Sequence, residues 1–189
     1  MSRVLRIVNK GFSEYFLFKG SKVLAVGGGI FLLGLMVVTT VTVIFRLINR
    51  VGFAVRTDWL VGGYEFSEMF MSMLTPFAMA YAWYTAGHVR IGLLRDRFGP
   101  RRKAAIDVVS ALLGAVFVFF VAWGVWELSE TSFALNRTSN LRDIPIAPFQ
   151  VLFVVTLGHF LIVLLRSMVG LTAKMLGSRF ANEPYLEGQ

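Results

Sequence analysis

The side chains of this 189-residue chain best suited to chemistry are two histidines, His88 and His159, and two glutamate pairs, Glu65 with Glu68 and Glu127 with Glu130. Two imidazoles on neighbouring helices are the ligand set of a b-type haem. A four-helix membrane cytochrome with His88 and His159 as axial ligands is therefore one functional reading. Against it, His88 stands at the exit of an apolar segment beside Arg90 while His159 lies well inside another, so their depths differ by a turn or more. A lone histidine inside an apolar helix more often bonds a serine, threonine or carbonyl of its neighbour, and His159 is read as such a packing group.

Residues three apart share a helical face, so Glu65 and Glu68 point the same way, with Ser72 four positions further on. Paired carboxylates do acid–base work only in a sheltered cleft, and nothing around either pair announces one. At a helix N-terminus they suit the macrodipole, and from there they reach Arg46 or Arg50 at the end of the preceding segment. The absence of cysteine removes thiolate nucleophiles, disulfide exchange and Cys-ligated metal centres. No cofactor and no metal site is expected, and the chain does not read as an enzyme.

The elements that carry these residues are membrane helices. The chain is 56% hydrophobic with a mean hydropathy of +0.68, which excludes an ordinary soluble domain. Its net charge of +8 sits at the flanks of apolar runs rather than in a groove. Contact with anionic lipid headgroups is the expectation, and nucleic acid is not. The pattern predicts an all-α integral membrane protein with four transmembrane helices over about 23–45, 66–87, 105–126 and 145–165, within a domain spanning 23–166. Residues 1–22 place Leu5, Val8 and Phe12 on one face and Arg3, Arg6 and Lys10 on another, an amphipathic helix lying on the cytoplasmic surface. The run after it is too long for a signal-peptide core and lacks an Ala-x-Ala exit, so it is read as retained. Residues 167–189 form a cytoplasmic tail.

Of the nineteen Lys and Arg, fourteen fall in the N-terminal segment, the loop from Arg90 to Lys103 and the C-terminal segment. Both termini are thereby placed in the cytoplasm. Residues 46–67 read as a long first loop and 127–143 as a weakly charged third loop. Pro76 interrupts the second helix, where a kink or widening is expected, with Ser72 or Thr75 to satisfy a freed carbonyl. Pro145 is expected in the first turn of the fourth helix and Pro148 just inside it. Ala25-x-x-x-Gly29, Ser110-x-x-x-Gly114 and Ala111-x-x-x-Ala115 are small-residue notches for close helix packing. The glycines at 27–29 follow no strand and precede no Lys-Ser/Thr, so a nucleotide loop is not read there.

Four features stand in order along the chain: Phe45-Arg46 closes the first helix, Glu65 and Glu68 enter the second, Gly87-His88-Val89-Arg90-Ile91 leaves it, and Gly99-Pro100 follows in the basic loop. With Ile144-Pro145 and Gly158 in the fourth helix, this order resembles the small membrane subunit of the tripartite ATP-independent periplasmic (TRAP) transporters of bacteria and archaea. The resemblance covers roughly 23–166. It implies a non-catalytic four-helix partner of a large multi-spanning permease in the inner membrane, within a sodium-coupled symporter. A soluble periplasmic binding protein would deliver an organic acid. It also implies that Arg46, Glu65, Glu68, His88 and Arg90 serve structure and interfaces rather than substrate. The chain departs from the pattern in its longer first loop and in having Trp59 and Tyr64 ahead of the acidic pair.

Overall fold

A computed structural model of the chain describes residues 2–51, 58–85, 100–140 and 143–175. Among them are four helices: α1 (Ser2–Arg50), α2 (Asp58–Tyr84), α3 (Pro100–Ala134) and α4 (Ala147–Met175). Three contain segments long and apolar enough to cross a membrane, Tyr15–Arg50, Ala105–Ala134 and Ala147–Thr172. The all-α membrane class thus stands. α2 is not among these three, because Glu65, Glu68, Pro76 and its serines, threonine and tyrosines dilute its apolar residues.

The helices run further than the apolar cores alone suggest. α1 is continuous through 49 residues, with no break between the amphipathic and apolar stretches. The first connector shrinks from the expected 46–67 to 51–57, because α1 runs on to Arg50 and α2 begins at Asp58. Gly62 and Gly63 look like loop punctuation, but both are buried inside α2. A Cβ at Gly63 would collide with Thr42 Oγ1 of α1. Their small size is used for packing, not for turning. α2 also continues unbroken through the buried Pro76, while Ser72 Oγ donates to Met69 O at 2.8 Å.

α1 and α2 form an antiparallel pair: passing along α1 from Gly28 to Gly34 to Thr42 leads back along α2 from Phe77 to Phe70 to Gly63. Phe31 lies between Phe70 and Phe77, with ring centroids 5.8 and 5.2 Å away. The glycines that accept these rings are Gly27, Gly28 and Gly34. A Cβ on Gly29 would meet nothing within 4 Å, and the same holds for Gly114. Within this chain those two notches face outward, with Ser110 exposed and Ala25 half-buried. Ala111 and Ala115 are buried, and Ala115 joins the central cluster. Rotating the contact face by one or two residues along a helix is enough to exchange one small residue for the next.

α3 and α4 form the second antiparallel pair, joined by a hairpin. Ser139 N donates to Ile144 O at 2.8 Å and Ile146 N to Arg137 O at 3.3 Å. Asn136 and Asp143 take φ of 46° and 53°, the left-handed region that Asn and Asp tolerate best among non-glycine residues. Pro145 pairs with Thr138 across this hairpin instead of standing in the first turn of α4, and Pro148 takes that first-turn place. A proline is acceptable in an isolated bridge because its missing N–H faces no ladder partner.

The two pairs meet mainly through α2 and α4. Ala80 of α2, Leu157, Phe160, Val163 and Leu164 of α4, and Ala115 and Val118 of α3 form one buried cluster, with α4 between the other two helices. α1 reaches α4 over a short stretch, and α2 and α3 hardly touch. Across the molecule the order is α1–α2–α4–α3. α2 and α3 therefore flank a cleft whose floor is α4.

Candidate functional site

That cleft deepens at the hairpin end into a cavity of about 380 Å³. α2 contributes Glu65, Glu68, Met69, Ser72 and Met73; α3 contributes Val125 and Leu128. The hairpin adds Thr138, Ser139 and Asn140, and the floor is Phe149, Gln150 and Phe153 of α4. Glu65 is 7% exposed and Ser139 8%, and the Ser139 hydroxyl donates to Glu65 Oε2 at 2.5 Å. The hydroxyl is aimed by the hairpin's own backbone bonds, so the contact ties the α3–α4 connection to α2. Gln150 Oε1 is buried and has no hydrogen-bond partner among the described residues. Glu68, one turn from Glu65, is exposed at the rim.

The other glutamate pair is arranged differently. Trp123 Nε1 donates to Glu127 at 2.9 Å and Trp126 Nε1 to Glu130 at 2.8 Å, each one helical turn along exposed α3. These carboxylates stand outside the cavity.

Toward the other end of the bundle, His159 Nε2 lies 3.0 Å from Ser21 Oγ of α1. Ser21 Oγ also lies 2.8 Å from Leu17 O of its own preceding turn, and the imidazole's tautomer sets which group donates in the Ser21–His159 contact. The imidazole lies against Gly20, where a Cβ would be 3.0 Å from the ring. His159 is thus turned onto α1. Phe18 packs beside this contact onto Tyr84, with ring centroids 5.6 Å apart.

Of the residues singled out from sequence, Glu65, Glu68 and Ser72 come together in the cavity. Arg46 is exposed near the end of α1. His88 and Arg90 lie outside the described residues. Among the described residues no group of three or more His, Asp or Glu could hold a metal ion. Sequence reasoning missed Ser139, Asn140 and Gln150 as neighbours of Glu65, and Ser21 as the partner of His159. The run Asn136 to Asn140, rich in turn-forming residues and followed by Pro145, is a hairpin signal that a reading by charge alone passes over. Ser21 and Gln150 carry no such signal.

The family model for "Tripartite ATP-independent periplasmic transporters, DctQ component" matches residues 35–174, well over half of the chain. Neither a curated protein nor a solved structure matches it.

Proposed function

The chain belongs to the DctQ-component family of tripartite ATP-independent periplasmic transporters, and from that premise we propose that it scaffolds the large permease of a sodium-coupled organic-acid symporter. It is a transporter component and not an enzyme. The observation that carries the scaffold reading is the excess of apolar surface. Val26, Ile30, Leu33 and Val37 form an exposed stripe on α1, and Leu113, Phe117 and Phe120 form another on α3. Gly29 and Gly114 open outward along the same helices. A second membrane protein can approach closely at such notches, and lipid covers the remainder.

In this reading α2 is the fourth span, carried through the bilayer beside α1, and both termini are cytoplasmic. The distribution of Lys and Arg supports that orientation. It sets the hairpin between α3 and α4 on the periplasmic side, where it helps dock the substrate-binding protein. The basic N-terminal part of α1 meets anionic headgroups on the opposite face. Arg46, Glu68, His88 and Arg90 act in assembly and helix placement.

The test is to tag the chain, extract it from its native membrane in mild detergent, and identify what accompanies it. A large multi-spanning permease in equal amount is the expected result. A chain that emerges alone as a homo-oligomer overturns the scaffold assignment. In the intact transporter, Glu68→Ala and Arg90→Ala are expected to reduce uptake in parallel with the amount of assembled complex.

A further inference from the structure

We infer that the uncovered polar face of α2 is the docking surface for the large permease, and that a transmembrane helix of that partner sets a basic side chain against Glu68. The inference rests on the scaffold reading and deepens it, by naming the face and the chemistry that meets it.

Two observations carry it, and the first is depth. Along the antiparallel pair, Gly34 of α1 meets Phe70 and Thr42 meets Gly63, which sets Glu68 level with Met36 of α1. Met36 lies well inside residues 23–45, a stretch without Asp, Glu, Lys or Arg, and Arg46 at its end is roughly 15 Å further along the axis. α4 places the next residues inside the layer as well. Ser72 and Met73 share a cavity wall with Phe153, within the equally charge-free residues 144–165, and Thr75 lies almost one turn deeper.

The second is the character of the face. Tyr64, Glu68, Ser72 and Thr75 follow one another at steps of three or four and are all exposed, so they form one stripe. α1 takes the side of α2 that bears Phe70 and Phe77, and the central cluster takes Ala80. Among the described residues Glu68 and Thr75 have no partner, and Ser72 bonds only its own helix. An acyl chain offers neither donor nor charge, and a carboxylate set against it is costly. A second copy of this chain would bring the same stripe, which carries no basic side chain, and a two-fold contact would set like charges together. A helix with Lys or Arg at the level of Glu68 and a polar group at the level of Thr75 satisfies both residues. The exposed stripes of α1 and α3 are apolar, and lipid covers them without such a cost. The face that requires protein is therefore that of α2.

A photo-reactive benzoylphenylalanine placed at position 75 would be irradiated in native membranes that hold the whole transporter. A cross-link to the large permease is expected. Cross-links to a second copy of this chain, or to lipid alone, overturn the inference. In the same membranes Glu68→Gln is expected to lower recovery of the permease about tenfold, the effect of one charge-assisted hydrogen bond, and Glu68→Arg to abolish it. The cross-linked peptide identifies the facing helix. Exchanging the basic residue of that helix for Glu is expected to restore recovery with Glu68→Arg, a rescue that a merely structural role of Glu68 within this chain does not give. Undiminished recovery with Glu68→Gln overturns the basic partner. If either Glu68 variant fails to fold, the cross-link at position 75 decides. A permease that co-purifies with the chain but does not cross-link from position 75 refutes this inference alone, whereas one that neither co-purifies nor cross-links takes the scaffold reading with it.

Discussion

Each half of the bundle holds one titratable side chain against a serine, yet the two contacts are built in opposite ways. At the hairpin end the serine belongs to a turn, its proton is directed across the fold, and the acceptor is the carboxylate of Glu65. At the His159 end the serine belongs to a helix, and its hydroxyl is shared between its own preceding turn and the imidazole. The first contact borders a cavity and the second is packed against a glycine. The backbone around a serine thus decides how much of its hydroxyl is left for a partner: the turn serine spends it across the fold, and the helical serine divides it.

The contrast makes Ser139→Ala the most damaging single change at either contact. It strips a donor from a buried carboxylate and is expected to destabilise the chain by about 3 kcal/mol, the upper range for hydrogen bonds to charged groups. Thermal unfolding of the purified protein, followed by loss of the monodisperse peak, measures it. Next is Gly20→Leu, which drives side-chain atoms into the His159 ring. A loss of about 2 kcal/mol is expected, in the middle of the range for overpacked sites. Should Gly20→Leu prove silent, α1 is not held closely to α4 at this point.

Ser21→Ala removes a neutral contact and should cost only about 0.6 kcal/mol, the average for polar pairs between membrane helices. A Ser21→Ala effect equal to that of Ser139→Ala would erase the distinction between the two ends. The smallest effects belong to Gly29→Ala and Gly114→Ala, where the added methyl meets nothing in the chain. Stability of the isolated chain should change by less than about 0.5 kcal/mol. A loss of co-purifying permease in either variant would identify the notch that the partner occupies.

The membrane class was legible from sequence because apolar length is a property of single segments. Lys and Arg bias is also written segment by segment, and so is the resemblance that the family match supports. What depends on two segments at once was not legible. Gly28 and Gly29 are adjacent, but only the structure says that Phe77 lies over Gly28 and nothing over Gly29. Ser139 and Glu65 are 74 positions apart, and their contact exists only because the hairpin folds back over α2. Gly62 and Gly63 fall within the loop expected over 46–67 for a physical reason: glycine serves turning and close approach equally well, and Thr42, which meets Gly63, lies in another helix. Ser139 stood within a recognisable turn composition, whereas Gln150 looked like any polar residue at the start of a helix.

One consequence of the continuous α1 is mechanical. Its 49 residues make a rod of roughly 74 Å, and even at a tilt of about 40° such a rod rises about 55 Å, well beyond a hydrocarbon layer of about 30 Å. Part of it must stand outside the hydrocarbon unless the helix bends. α2 grips this rod along Gly28, Gly34 and Thr42, and α4 grips it at Gly20 and Ser21. The grip extends to Phe18, which packs on Tyr81 and Tyr84 of α2, so the rod is held from Phe18 to Thr42. The same α2 carries Glu65 on its cavity face, so α1 and the cavity wall share one helix.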